Sequence, residues 1–303
     1  MIEAIEYLLF ISLRWIAHKL PYRLVGRAGG LLGAMVFRCS NFRKKITVDN
    51  LTRALPTASP QEIHRIALGA YRNYGTAVME MLWASDQPSE VLKRTVRVSN
   101  LEVFNSAFAQ GRGIILLSAH FGNWEFIVGP LRLHLNRSMS MIIQHQQNKR
   151  IDDYIDRVRC RFGNTSIPMG PSVREVLKVL SEGRTVLMLG DQSGPRESVF
   201  IDFFGRPAAT RRGPAVFCLK TGAPIVMVFL VRQSDSTYVA TFETLDMTGL
   251  DCYSEDNVVE LTRRHTVVLE SYIRKHPDHW LWMHKRWKHT AYFESMALAE
   301  DVA

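Results

Sequence analysis

The chemistry in this chain is concentrated in "LLSAHFGNWEFIVGP", residues 116–130, where His120 and Glu125 interrupt an otherwise apolar run. A histidine and a carboxylate can act together as a general base and the acid that orients it. The carboxylate bonds one ring nitrogen and fixes the tautomer, which leaves the other nitrogen free to take a proton. In a continuous helix a five-residue step turns the two side chains about 140° apart. The pair therefore meets only if His120 lies in a turn and Glu125 in the first helical turns behind it. The spacing alone leaves two readings open, a catalytic pair and a buried histidine bonded to backbone.

The flanking elements would put the histidine where chemistry is commonly done. "GIILLSAH" has the length and composition of a strand buried on both faces, and "FGNWEFIVGPLRLHL" reads as helix. His120 then sits at the carboxyl edge of a sheet, where open α/β proteins gather ligand groups. Further buried strands are expected in "SMSMIIQ", "RTVLMLGD" and "PIVMVFLVR", with shorter strands in "TVRVSN" and "YVATFETL". Helices are expected between them, in "LEVFNSAFAQGR", "NKRIDDYIDRVRCRFG", "SVREVLKVLSEG", over 211–221, and in "NVVELTRRHTVVLESYIRKHP". Upstream, "SPQEIHRIALGAYRNYGTAVMEMLWA" is a helix with Ser59 as cap and Pro60 at its first position. Strands alternating with helices predict an α/β fold with a mainly parallel central sheet flanked by helices.

The 303 residues carry a formal net charge of +9. Such a balance favours an anionic partner: nucleic acid, an anionic membrane surface or an acidic substrate. No aromatic stacking surface, zinc pattern or helix-turn-helix supports nucleic acid. Cys39, Cys160, Cys218 and Cys252 lie far apart with no paired spacing, so neither a disulfide framework nor a metal site is expected.

Residues 1–40 stand apart, with two apolar runs at about 4–17 and 24–37 flanked by Arg14, His18, Lys19, Arg23 and Arg27. Neither run reaches the ~18 apolar residues of a spanning helix, and no cleavage site follows. Trp15, Tyr7 and the basic flank suit a membrane-anchoring segment lying in the interface, and a helix packed on the domain is the other reading. Gly26, Gly30 and Gly33 suggest close helix packing rather than a dinucleotide loop. The expected organisation is this amino-terminal segment (1–40) followed by a single α/β domain (41–303).

Three blocks in order, "HFGNWE", "GDQSGPRESVFIDFFGRPAATRRGPAVFCLKTGAPIVMVFLVR" and "HPDHWLWMHKRWK", together resemble the bacterial lipid A biosynthesis acyltransferases, within the glycerolipid acyltransferases that carry an H-x4-D/E motif. The likeness runs over nearly the whole chain. It implies a glycerolipid-acyltransferase-like fold, with His120 deprotonating an acceptor hydroxyl and Glu125 orienting it. The acyl group would come from acyl carrier protein (or acyl-CoA), with no bound cofactor and no metal. The acceptor would be an anionic glycolipid, a lipid A precursor, at the cytoplasmic face of the bacterial inner membrane. No nucleophile elbow surrounds Ser118, in keeping with direct transfer.

Several further residues are candidates for holding substrate. Arg211 and Arg212 stand at a probable helix amino terminus, where guanidinium and backbone donors can hold phosphate. Arg159 and Arg161 match a basic stretch of the family, and Asn123 belongs to its first block. Asp191 and Gln192 end a strand on the same sheet edge as His120 and could position substrate, brace the histidine or cap the next turn. Arg232 is a phosphate ligand or an ion-pair partner. "WLWMHKRWK" is expected to serve as packing and as membrane-facing surface. One departure from the family is the absence of a Tyr-Arg pair after "SMSMIIQ", where Ile143-Gln144 stand instead; Arg150 could supply the missing guanidinium. Other readings are acylation of another glycolipid, such as a mannosylated inositol lipid or an aminolipid, and, from a different class, a thioesterase or hydrolase using Ser118 or Cys160.

Overall fold

Burial pattern accounts for the architecture of the protein, which was studied as a computed structural model describing residues 2–170 and 172–300. Four helices come first: α1 (Ile2–Lys19), α2 (Tyr22–Cys39), α3 (Lys44–Ala54) and α4 (Pro60–Ala84). Then follow α5 (Ser89–Lys93), β1 (Val96–Val98), α6 (Leu101–Phe108) and β2 (Ile114–Ser118). After β2 come α7 (Arg132–Leu135), β3 (Met139–Ile143), α8 (Lys149–Cys160), β4 (Thr165–Pro168), α9 (Val173–Ser181) and β5 (Thr185–Leu189). The hairpin β6 (Val199–Asp202) and β7 (Pro207–Thr210) precedes α10 (Gly213–Thr221), β8 (Ile225–Arg232) and β9 (Tyr238–Thr244). The chain closes with α11 (Glu255–Lys275) and α12 (Thr290–Glu300).

Seven strands form one sheet in the order β1-β9-β8-β2-β5-β3-β4. All neighbours run parallel except β8 and β9. Every residue of β2 is buried, and alternate side chains feed two cores: Ile115 and Leu117 on one face, Ile114 and Leu116 on the other. That explains a strand with no polar alternation. The expected mainly parallel α/β sheet flanked by helices is therefore present. β8, β2 and β5 are neighbours and parallel, so the segments following His120's strand and Asp191's strand emerge side by side.

Helix α4 begins as its sequence dictates, with Ser59 Oγ accepting from the Glu62 amide at 3.2 Å and Pro60 in the first turn. Its middle is crossed closely by α2. A Cβ on Gly29 would overlap the backbone of Gly75, and one on Gly33 the carbonyl of Tyr71. Gly26 and Gly33 of the expected set lie in this close packing and Gly29 joins them, while Gly30 faces Thr76 and Arg72 of α4 at ordinary contact distance. Among the described residues no helix is long and apolar enough to cross a membrane.

Two other expectations change. The stretch after β2 is not one regular helix. Residues 120–124 are irregular, helical backbone starts at Glu125, and Ile127–Leu131 form a π-helical turn containing Pro130. Proline lacks the amide that an α-helix would use, and the widened turn accommodates the loss. The strand β4 and the hairpin β6–β7 lie outside the expected elements, because four-residue strands next to proline carry little pattern.

Candidate active site

His120 stands in the turn after β2, and hydrogen bonds from residues 279–281 and from α4 fix that turn. The Leu281 amide donates to the His120 carbonyl (3.1 Å), and the Gly122 amide to the His279 carbonyl (2.9 Å). Asn73 of α4 donates its side-chain amide to the Gly122 carbonyl at 3.0 Å. Gly122 has φ +58°, and a Cβ there would overlap the Leu230 carbonyl, so only glycine fits.

Asp191, not Glu125, is the residue bonded to the imidazole. His120 Nδ1 lies 2.9 Å from Asp191 Oδ1, and Asp191 Oδ2 accepts from the Trp280 indole at 2.9 Å. Asp191 is 2% exposed while the His120 side chain is 20% exposed, so the carboxylate is sealed behind the ring. Burial alone would raise the Asp191 pKa, yet His120 and the Trp280 bond outweigh it and hold the carboxyl below its ordinary value. With Nδ1–H donating to the carboxylate, the Nε2 lone pair is free. The Gln192 amide nitrogen lies 3.4 Å from it, in reach of a weak bond.

Glu125 occupies the expected place, in the first helical turn, but its oxygens are taken elsewhere. Arg159 Nε donates to Oε2 at 3.0 Å and a second guanidinium nitrogen to Oε1, in a bidentate pair; the Trp124 indole also donates to Oε1 at 3.1 Å. Burial would raise the Glu125 pKa, but Arg159 leads a set of opposing interactions that bring it below the ordinary value; the charge of His120 contributes as well. His120 and Glu125 are thus electrostatic neighbours, with separate hydrogen-bond partners. Beside Glu125 and Arg159 lies a narrow cleft of only about 20 Å³, lined among others by Met81, Leu92, Phe126, Val128 and Phe162.

Of the other candidates, several turn out to hold the protein rather than a substrate. Asn123 is fully buried and donates to Glu80 Oε2 at 2.9 Å, so it offers no surface to a ligand. Arg232 takes the ion-pair alternative, bonding Glu80 Oε1 at 3.0 Å. Arg161 donates to the Ser85 carbonyl at 2.9 Å, at the end of α4, where a cation meets the negative end of the helix. Arg212 is engaged with Glu255 at 2.6 Å. Arg211, beside the amino terminus of α10, makes no ion pair or side-chain hydrogen bond among the described residues. Arg150 lies over the Tyr7 ring of α1, 5.5 Å from its centroid. Ser118 is buried and donates to the Val228 carbonyl at 2.6 Å.

In the aromatic ending, packing, the main role expected of it, is the one its buried residues take. Trp280, Trp282, Arg286 and Trp287 are buried, not membrane-facing. Trp280 reaches Asp191, and His284 Nε2 accepts from the Ser193 amide at 3.0 Å. Sequence reasoning also passed over Glu80, fully buried, which accepts from Arg232, Asn123 and Tyr238. Its signal was available: a lone carboxylate between Met79 and Met81 on the buried side of a helix. Among the described residues no group of three His, Cys, Asp or Glu side chains could hold a metal.

An α/β sheet that presents a buried carboxylate and a half-open histidine at the carboxyl ends of neighbouring strands belongs to a class of sites that can do general-base chemistry. Comparison with known proteins gives the class a name: residues 1–289 match the model of the bacterial lipid A biosynthesis acyltransferases. The chain belongs to this family and is an acyltransferase enzyme. It is 28% identical over 281 residues to the lipid A biosynthesis lauroyltransferase of Escherichia coli K12, covering 92% of this chain and 90% of the relative. It is 25% identical to the lipid A biosynthesis palmitoleoyltransferase of the same strain (92% and 89% covered). A phosphatidylinositol mannoside acyltransferase of Mycobacterium tuberculosis is 24% identical, with 78% and 75% covered.

Proposed function

We propose that this enzyme transfers a fatty acyl group from a thioester donor, acyl carrier protein or acyl-CoA, to a hydroxyl of a lipid A precursor, with His120 as general base. The observation that carries the reading is the pairing of His120 Nδ1 with buried Asp191, which leaves Nε2 available at the half-open face. In this mechanism Nε2 takes the proton of the acceptor hydroxyl as its oxygen attacks the thioester carbonyl. The tetrahedral adduct then expels the thiolate, which recovers the proton from the imidazolium. Asp191 holds the tautomer and stabilises the transient positive charge. Glu125, braced by Arg159, adds negative potential beside the ring. Arg211 is the candidate for a substrate phosphate.

The acceptor is a membrane lipid, and the exposed side of α1 and α2 suits contact with a membrane surface. Ile5, Leu8, Leu9, Trp15, Ile16, Leu24, Leu31 and Met35 are all exposed there, next to Lys19, Arg23 and Arg27. Such a face can lie in the headgroup region of the cytoplasmic leaflet of the inner membrane, with the cations against anionic lipid. The mycobacterial relative supports a second reading, acylation of a mannosylated inositol lipid. A thioesterase using Ser118 gains no support, since that hydroxyl is buried on a strand carbonyl.

An assay of purified protein with acyl carrier protein thioesters, acyl-CoA and several lipid acceptors, read by mass spectrometry, tests the proposal. The expected result is a single acyl addition to a lipid A precursor, lost by about 10³-fold or more in His120→Ala, with the variant still folded. Near-wild-type turnover by that variant would sink the mechanism.

A further inference from the structure

The loop after β5 engages the site with three consecutive residues, and the third does not touch His120. Asp191 holds His120 Nδ1, Gln192 approaches His120 Nε2, and the Ser193 amide donates to His284 Nε2. A backbone amide can only donate, so Nε2 of His284 must be the ring's acceptor. Its proton is then on Nδ1, and the ring is neutral.

The rest of the surroundings keep it there. Burial first, and the positive potential of His120 and Arg286 with it, push the His284 pKa down to about 4, against the opposing pull of Asp191. Lys288 acts in the same direction. The strap that carries His284 is rigid: Asn50 donates to the carbonyls of both Trp282 and His284 at 2.8 Å, and Leu281 is bonded to the His120 carbonyl. Among the described residues the Nδ1–H has no hydrogen-bond partner, and His284 is partly exposed.

A neutral imidazole with its donor uncommitted, and with both its acceptor side and its backbone fixed, suits one task in acyl transfer. We infer that His284 is a catalytic residue whose Nδ1–H donates to the thioester carbonyl oxygen and stabilises the oxyanion formed when the acceptor attacks. The inference rests on the acyl-transfer reading above. As the new C–O bond forms, the carbonyl π pair moves onto oxygen, which His284 meets without giving up its proton. The pair returns when the C–S bond breaks, and the proton that leaves with the thiol is the one His120 took. A neutral donor is preferable to a charged one beside His120, because a second cation would oppose formation of the imidazolium.

Two substitutions separate this role from a purely structural one. His284→Gln can keep an acceptor for the Ser193 amide but loses the Nδ1 donor. His284→Asn can keep a donor near the Nδ1 position but abandons Ser193. Both are measured for kcat, KM and melting temperature with an acyl thioester and the acceptor lipid that wild type uses. The expected result is a kcat lower by about 10²-fold in His284→Gln at nearly unchanged KM, and a loss of about 10-fold or less in His284→Asn. Equal losses in the two, or a greater loss in His284→Asn, overturn the donor role. A wild-type protein that transfers no acyl group overturns the acyl-transfer reading, and this inference with it.

Discussion

Two buried carboxylates flank the imidazole of His120, and their partners set them apart. Asp191, on the loop after β5, is bonded to a ring that can gain and lose a proton. Glu125, in the first helical turn after β2, is bonded to Arg159, whose charge is permanent. Both carboxyls are held below their ordinary pKa values, so the shift alone does not distinguish them. The identity of the partner does. A carboxylate on a titratable ring can pass the effect of its charge to a reacting proton. One locked in a guanidinium fork anchors structure and supplies a fixed field. Glu80 is a further case of the second kind: it lies out of contact with solvent and ties α4 to Arg232, Asn123 and Tyr238.

This contrast predicts a large stability effect at Glu125. Glu125→Gln leaves the partly buried charge of Arg159 without its partner and should cost about 1–3 kcal/mol in chemical unfolding. A variant as stable as wild type would mean that the Arg159 pair is weak or readily replaced. The sign with pH follows from the depressed carboxyl values. Stability from Glu125 and Asp191 is present above the ordinary carboxylate range, and is lost as pH falls through the folded-state values.

Histidine burial adds a second loss on acidification, at higher pH. Burial takes His265 down to about 3, with Arg286 adding to the shift. The unfolded chain binds a proton near pH 6.5 that the folded protein refuses, so stability declines from about pH 6.5 toward 3. His265→Leu should flatten that decline in unfolding experiments between pH 7 and 4. An unchanged slope would show that His265 is protonated in the fold at ordinary values. The smallest effect is expected at Ser118. Ser118→Ala loses one buried bond to the Val228 carbonyl, about 1 kcal/mol, and should leave kcat within about twofold. Loss of activity there would revive the hydrolase reading.

The contrast between the two carboxylates was only half legible in the sequence. His120 could be placed because β2 is buried on both faces and announces its end by composition. Glu125 could be placed in the first helical turn by the same reasoning. Their partners could not be read, because Asp191 lies 71 residues and Arg159 34 residues away along the chain. Which carboxylate reaches the ring depends on sheet order, with β5 beside β2, and on the π-helical turn that follows Glu125. The aromatic ending left packing and surface roles side by side for a related reason. Trp, Lys and Arg in alternation suit an interface as well as a core, and only the close approach of Trp280 to Asp191 decides between them. The arginines show the same limit: charge is visible in sequence, but the carboxylates that engage Arg159, Arg212 and Arg232 are not.

Comparing single-turnover acyl transfer by Asp191→Asn and Glu125→Gln, at matched concentrations of folded protein, tests the account most directly. Asp191→Asn removes the charge bonded to Nδ1 and disturbs the tautomer, so its chemical step should be slower by about 10³-fold or more. Glu125→Gln should lose about 10-fold, with its main deficit in the folded fraction. A Glu125→Gln rate equal to or below that of Asp191→Asn would contradict the assignment and make Glu125 the group on which the base depends.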